Sequence, residues 1–337
     1  MHYSPSFKQT SLLSFCPEAH AVLSSSRITN LERYGSVKRW ITRLNKKSGS
    51  HNTRRVYLHY LCEFCKYSHL NPDELIIERK NVLRSRDEYT CRSVEERLDK
   101  WFLELEKKGL ARNTCVTCYN AVRSFYRANY VGLLVEVTPS AWPKKIKPGL
   151  TREELGCMLN QTRKPLHKAY VLCQSQSGLS ISDLLKLTYR NVRSQIEKGS
   201  DHIHLRLLRG KEKQLGFFGT FFGKIAAEAL REYLSTRKNL KEADSLFPCT
   251  ARNVNSFLRR LSSKAGPEWT VSSHDLRKYF ATNLKLARVN DPAFNETLIE
   301  YWQGHSLGKV KGAYFLPPIE EQLRLYKLAE PRLEPVF

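Results

Sequence analysis

Long apolar runs are missing from this chain of 337 residues. No window stays apolar over the ~20 residues that a bilayer crossing requires, so no membrane-spanning helix is expected. Met1 to Ser26 has no basic start followed by an apolar core, and it does not read as a signal peptide. Repeats and low-complexity tracts are absent too. Acidic side chains are few: 33 against 56 lysines and arginines, a net charge of +23. Enzymes of small metabolites rarely carry that excess. A polyanionic partner, DNA or RNA first, explains it most simply. Residues 1–150 hold 26 basic and 14 acidic side chains, and residues 151–337 hold 30 and 19. Both halves are therefore basic, which suits two domains sharing one long polyanion. The length also favours two domains over one core.

Nine cysteines without an export signal are expected to be reduced thiols in the cytoplasm. Two pairs, Cys62/Cys65 and Cys115/Cys118, have the spacing of a zinc half-site. Both lie within helical patterns, where positions three apart share a face, so core thiols are the preferred reading. No carboxylate cluster suited to a metal stands out, and no cofactor is expected.

Residues 1–29 are polar and serine-rich and read as a flexible arm. From Asn30 apolar residues recur at helical spacing: Leu31, Tyr34, Val37, Trp40, Ile41 and Leu44. A second helix starts near Asn52–Thr53, and Asn71-Pro72-Asp73 marks a turn. A third runs from Ser93 to Lys108, capped by Ser93 and ended by Gly109. A fourth spans about Asn113 to Asn129. Residues 30–137 are thus expected to form a four-helix domain. Residues 138–150, with three prolines and three lysines, read as an extended basic linker. Residues 151–337 follow as a second, mostly helical domain, opened by the cap Thr151-Arg-Glu-Glu154. Within it His202–Arg209 alternates, Gly210–Lys213 turns and Leu215–Phe222 returns, a small β-hairpin. The fold class is mainly α, in two domains.

The chemistry is concentrated near the end. His274-Asp-Leu-Arg277 opens a helix after Ser272 and Ser273, so His274 and Arg277 share a side near free backbone N–H groups. Tyr301-Trp-Gln-Gly-His305 follows, and Tyr314 stands nine residues past His305. Taken one at a time, each of these is a weak signal. Together, in order and at this spacing, they resemble the tyrosine recombinases of the phage integrase family, over roughly residues 30–330. The wording of Tyr301–Pro318 looks closest to integrases of archaeal mobile elements.

The resemblance implies a DNA clamp made of a core-binding domain and a catalytic domain. It also implies a reaction in which Tyr314 attacks a backbone phosphate. A phenol with a pKa near ~10 is a weak nucleophile until its site activates it. Arg277, His274 and His305 would stabilise the extra charge of the phosphorane. A lysine of the hairpin turn would protonate the departing 5′ oxygen, Lys213 in preference to Lys211. The product is a 3′-phosphotyrosyl link, with no metal required. DNA contacts are expected from Arg209 and Lys211 of the hairpin, from Lys144, Lys145 and Lys147 of the linker, and from Arg54, Arg55 and Arg112 of the first domain. Partners implied are double-stranded DNA, three further copies making a tetramer on two sites, and accessory proteins. A C-terminal helix with Leu323, Leu325 and Leu328 on one stripe would dock either on a neighbouring copy or on its own domain.

One position departs from the family. Its Gly-Leu-Arg-x-Ser-Glu segment reads Gly178-Leu-Ser-Ile-Ser-Asp183 here, so Ser180 stands where the first arginine belongs. Losing one such stabiliser costs on the order of 10²–10³ in rate. Arg190, Arg193, Arg206 or Arg209 could replace it, the subfamily could work without it, or the chemistry could be slow or lost. Two rivals follow: a DNA-binding protein descended from a recombinase, and a topoisomerase using the same chemistry.

Overall fold

A computed structural model describes residues 30–47, 49–135, 137–138, 147–208, 216–265, 267–287, 289–305, 307 and 317–337. The chain divides into two compact units, residues 1–145 and 146–337. Among the described residues no helix is long and apolar enough to cross a membrane.

Among the described residues the first unit has five helices, where four were expected: α1 (Gly35–Lys47), α2 (His51–Ser68), α3 (Pro72–Val82), α4 (Glu88–Lys107) and α5 (Arg112–Ala128). The unexpected one is α3. Asn71-Pro-Asp-Glu74 is its start signal: Asn71 caps the N–H groups of Asp73 and Glu74, while Glu74 reaches back to the Asn71 N–H. Its inward face is Pro72, Leu75, Ile76 and Arg79. A charged residue at the last of those positions breaks the apolar stripe, which is why periodicity misses the helix. Helix α4 also starts earlier than expected. Asp87, whose carboxylate accepts from the Thr90 N–H at 2.7 Å, takes the capping role assigned to Ser93. Gly109, at φ +84°, follows its end as expected.

Aromatic rings fill the centre of this unit. Trp40 meets Phe125 edge-on at 5.5 Å, and Phe64 meets Trp101 at 5.2 Å. Through this core runs one buried ion pair. The Arg79 guanidinium donates to both Glu95 oxygens, at 2.7 and 2.5 Å, and to the Cys91 carbonyl at 2.9 Å. Glu95 also accepts from the Leu134 N–H, so the fork ties α3, α4 and the segment after α5 together. Cys115 and Cys118 are buried in the same core and Cys65 packs against it. Burial pushes Cys65 and Cys118 up to about 12.

The second unit begins with α6 (Arg152–Asn160), closed by the expected Thr151/Glu154 capping box, and α7 (Pro165–Ser177). Short helices α8 (Ile181–Leu184) and α9 (Arg193–Glu197) lead to the hairpin. Strands β1 (Ile203–Leu208) and β2 (Phe217–Phe222) pair antiparallel, Ile203 opposite Phe222 and Leu208 opposite Phe217. Helices α10 (Lys224–Ser235), α11 (Ala251–Ala265), α12 (Ser273–Leu286), α13 (Glu296–Trp302) and α14 (Ile319–Ala329) follow among the described residues.

Helix α14 packs on its own unit, on a stripe different from the one expected. Gln322, Leu325, Tyr326 and Ala329 are buried, whereas Leu328 is exposed. Polar partners fix it. Trp302 Nε1 donates to Gln322 Oε1 at 3.1 Å and Tyr326 OH donates to the Gln176 carbonyl at 2.7 Å. Glu330, at its end, meets His202 Nε2 at 2.6 Å and accepts from the Lys224 N–H at 2.7 Å. The last residues then cross to α6, where Val336 N–H donates to the Arg152 carbonyl.

Two outcomes test this description. Arg79→Ala leaves the Glu95 carboxylate buried and unpaired, and should cost about 3–5 kcal/mol in denaturant unfolding, while the paired replacement Arg79→Met with Glu95→Leu should recover most of it. Alkylation at pH 8 followed by mass mapping should label the exposed Cys157 well before Cys65, Cys115, Cys118 and Cys173, because burial disfavours their thiolates.

Candidate active site

Three of the motif segments meet at the first turns of α12. That helix starts at Ser272, and Asp275 reaches back to accept from the Ser272 N–H at 2.8 Å. His274 is exposed on the first turn, and Arg277 lies one turn on, half-buried. Arg277 Nη1 donates to the Gly178 carbonyl at 2.8 Å, and the Arg277 carbonyl accepts from Gln303 Nε2 at 3.4 Å. One residue thus joins the segment bearing Ser180 to the segment bearing His305. Burial pulls the Arg277 pKa below the ordinary arginine value, with nearby Asp183 acting the other way.

The glycines of both joined segments are dictated by contact as well as by backbone. Gly178 ends α7 at φ +64°, and a Cβ there would lie 2.3 Å from the Phe280 ring of α12. Gly304 has φ +71°, and a Cβ there would lie 2.8 Å from the Phe218 ring of β2. The hairpin is fixed to the same place: Thr220 Oγ1 donates to the Ser177 carbonyl at 2.8 Å. From α7, Gln174 Nε2 donates to the Leu179 carbonyl and to Ser273 Oγ, at 3.2 and 2.5 Å. His305, exposed, is held through its N–H to the Glu300 carbonyl at 3.0 Å. Gln174, Thr220 and Gln303 were not singled out from sequence. All three are uncharged residues that act on backbone carbonyls, and no spacing rule marks them.

Ser180 caps α8. Its hydroxyl accepts from the Asp183 N–H at 3.2 Å and donates to the Asp183 carboxylate at 2.6 Å. Of the four arginines considered as replacements, Arg190 and Arg193 both pair with Glu242, at 3.0 and 2.9 Å. Arg206 lies over the Phe217 ring at 4.2 Å. Arg209 lies outside the described residues, as do Lys211, Lys213, Tyr314, Lys144 and Lys145. Lys147, expected at DNA, is instead bound within its own unit to Asp275 Oδ2 at 2.7 Å. In the first unit Arg54 pairs with Glu32 and Arg112 with Glu106, both at 2.8 Å, and Arg55 reaches Asn52 at 3.4 Å.

Among the described residues no group of three or more histidine, cysteine or acidic side chains is placed to hold a metal ion. What the arrangement offers is a guanidinium whose observed acceptor is a neutral carbonyl, two exposed imidazoles on joined segments and a helix start. These are the elements of an anion site.

Comparison with known proteins agrees. Residues 150–306 match the model of the phage integrase family. The tyrosine recombinase XerC of Pelotomaculum thermopropionicum is 26% identical over 265 residues, 71% of this chain and 82% of that one. XerC of Bacillus subtilis is 26% identical over 252 residues, covering 68% and 80%. The fold resembles that of the Tn1549 transposon integrase in complex with transposon right end DNA, with a TM-score of 0.55 at 19% identity over 86% of this chain and 97% of that one. It also resembles the XerH recombinase bound to its difH substrate, with a TM-score of 0.51 at 18% identity over 82% and 76%. Residues 150–306 thus carry a phage integrase family domain, and the chain is similar over most of its length to tyrosine recombinases.

Proposed function

We propose that this protein is a site-specific recombinase that cleaves and rejoins double-stranded DNA through a 3′-phosphotyrosyl intermediate. The observation that carries the reading is the junction at Arg277, which gathers the His274, Gly178 and His305 segments into one anion site. Tyr314 is the nucleophile by its place nine residues past His305. Attack of its oxygen on phosphorus forms the new P–O bond and expels the 5′ oxygen. Arg277 takes up the charge gained by the non-bridging oxygens, with His274 and His305 donating beside it. The departing oxygen takes its proton from Lys213 or Lys211. Rejoining reverses these steps, and the phosphotyrosine bond conserves the energy of the cut.

Cations of the arm, of the hairpin and of the linker at Lys144 and Lys145 supply sequence-independent phosphate contacts in this reading. Assembly would be a tetramer on two DNA sites. The finer placement, among integrases of archaeal mobile elements, rests on the wording of Tyr301–Pro318. A DNA-binding protein that has lost its chemistry is the reading Ser180 would favour. The family match and the assembled Arg277 junction weigh against it.

Bound duplexes selected from a random pool give the target, and a nicked version of it traps the covalent product. Wild type should yield a slower band on a denaturing gel, and Tyr314→Phe should bind equally well and yield none. Binding without any adduct in wild type would overturn the reading in favour of the DNA-binding protein. Arg277→Lys should lower the adduct rate on the order of 10²–10³-fold at saturating DNA, because an ammonium does not reproduce the fork.

A further inference from the structure

We infer that Lys147 is a positioning residue, which acts on the reaction by fixing Asp275 and with it the helix turn that carries His274 and Arg277. This rests on the function proposed above and goes beyond it, since neither Lys147 nor Asp275 has a part in that chemistry.

The Lys147 ammonium makes two hydrogen bonds and one ring contact within the second unit. It donates to Asp275 Oδ2 at 2.7 Å and to the Thr270 carbonyl at 2.6 Å, and it lies 4.0 Å from the centre of the Trp269 ring. Asp275 is buried, and the same oxygen accepts from the Ser272 N–H at 2.8 Å and the Ser272 hydroxyl at 2.6 Å. A carboxylate placed this deep is tolerated only with a counter-charge. Among the ion pairs of the described residues, Lys147 supplies it.

The location gives the pair its consequence. Asp275 stands between His274 and Arg277, and its bond to Ser272 closes the first turn of α12. The adjacent Ser273 is held from two further sides, through its N–H to Asn255 Oδ1 at 3.2 Å and through its hydroxyl to Gln174. Without Lys147 the carboxylate would protonate or turn toward water, and the turn that presents both functional side chains would lose its anchor. Displacement of a catalytic group by about 1 Å costs up to 10²-fold in rate. Lys147 is also one of the linker lysines expected to touch DNA. The geometry sets the positioning role first, because the ammonium is committed to a buried carboxylate and a backbone carbonyl of its own unit.

The test compares Lys147→Met, Lys147→Arg, Asp275→Asn and the double variant Lys147→Met/Asp275→Asn in the full chain. Thermal unfolding first establishes that each is folded at the assay temperature. The positioning role predicts that Lys147→Met keeps its DNA affinity and the salt dependence of binding, while the adduct rate at saturating DNA falls about 10- to 100-fold. Lys147→Arg should recover most of the rate. The double variant should be no slower than Asp275→Asn alone, the mark of two residues acting through one interaction. Hydrogen exchange at the amides of Ser273–Leu276 should quicken in Lys147→Met with no DNA present. A drop in affinity with a salt slope reduced by about one would instead make Lys147 a phosphate contact and overturn the inference. Unchanged exchange would overturn it too. Exchange is read without cleavage, so a wild type that forms no adduct would refute the proposed function while this measurement still decides the role of Lys147.

Discussion

The catalytic unit depends on a guanidinium held by a carbonyl. Arg277 is drawn into the protein far enough to be desolvated, yet the partner seen on its fork is the neutral oxygen of Gly178. A carboxylate there would have cancelled the charge and spoiled the place for a phosphate. A carbonyl fixes the geometry and leaves the charge to act. The arrangement in turn constrains its surroundings. Gly178 has to offer its oxygen from a left-handed turn under Phe280, and Gln303 has to reach the backbone of the same residue. Loop segments far apart in sequence are thereby set around one positive group.

Ser180 acquires a definite meaning in this frame. The serine is a working helix cap, engaged with the backbone and side chain of Asp183. The local fold is therefore complete without the arginine that the family resemblance led one to expect there. Arg190 and Arg193 are not spare replacements, because Glu242 holds both. In the function proposed above, the positive charge at the phosphate is left to Arg277, with the two imidazoles beside it.

Much of this was legible in the sequence. The helical class and the hairpin followed from periodicity and alternation, and a spaced motif marked the His274, Arg277 and His305 segments that meet at α12. What escaped detection shares a physical cause. Helix α3 hid because Arg79 occupies a core position through its pair with Glu95, sixteen residues away, and a pattern of apolar residues cannot register a buried charge. The inward stripe of α14 was misplaced because Gln322 and Tyr326 are buried through bonds to Trp302 and Gln176. Lys147 read as a DNA contact because charge alone does not say whether a lysine faces a phosphate or a carboxylate 128 residues later. In each case the deciding partner lies beyond the local window.

The return of the last residues to α6 also orders the birth of the protein. The first unit gathers its core from residues 37–135 alone, and in a growing chain the domain that emerges first folds first. The second unit cannot be completed that way. Arg152, in its first helix, waits for Glu334 and Val336, and Tyr279 of α12 waits for Leu333. A nascent chain that has emerged only as far as the hairpin therefore has a second unit whose α6 still lacks the partners of Arg152. A ribosome that stalls or terminates early would release a product in which the α6 and α12 docking positions stand empty.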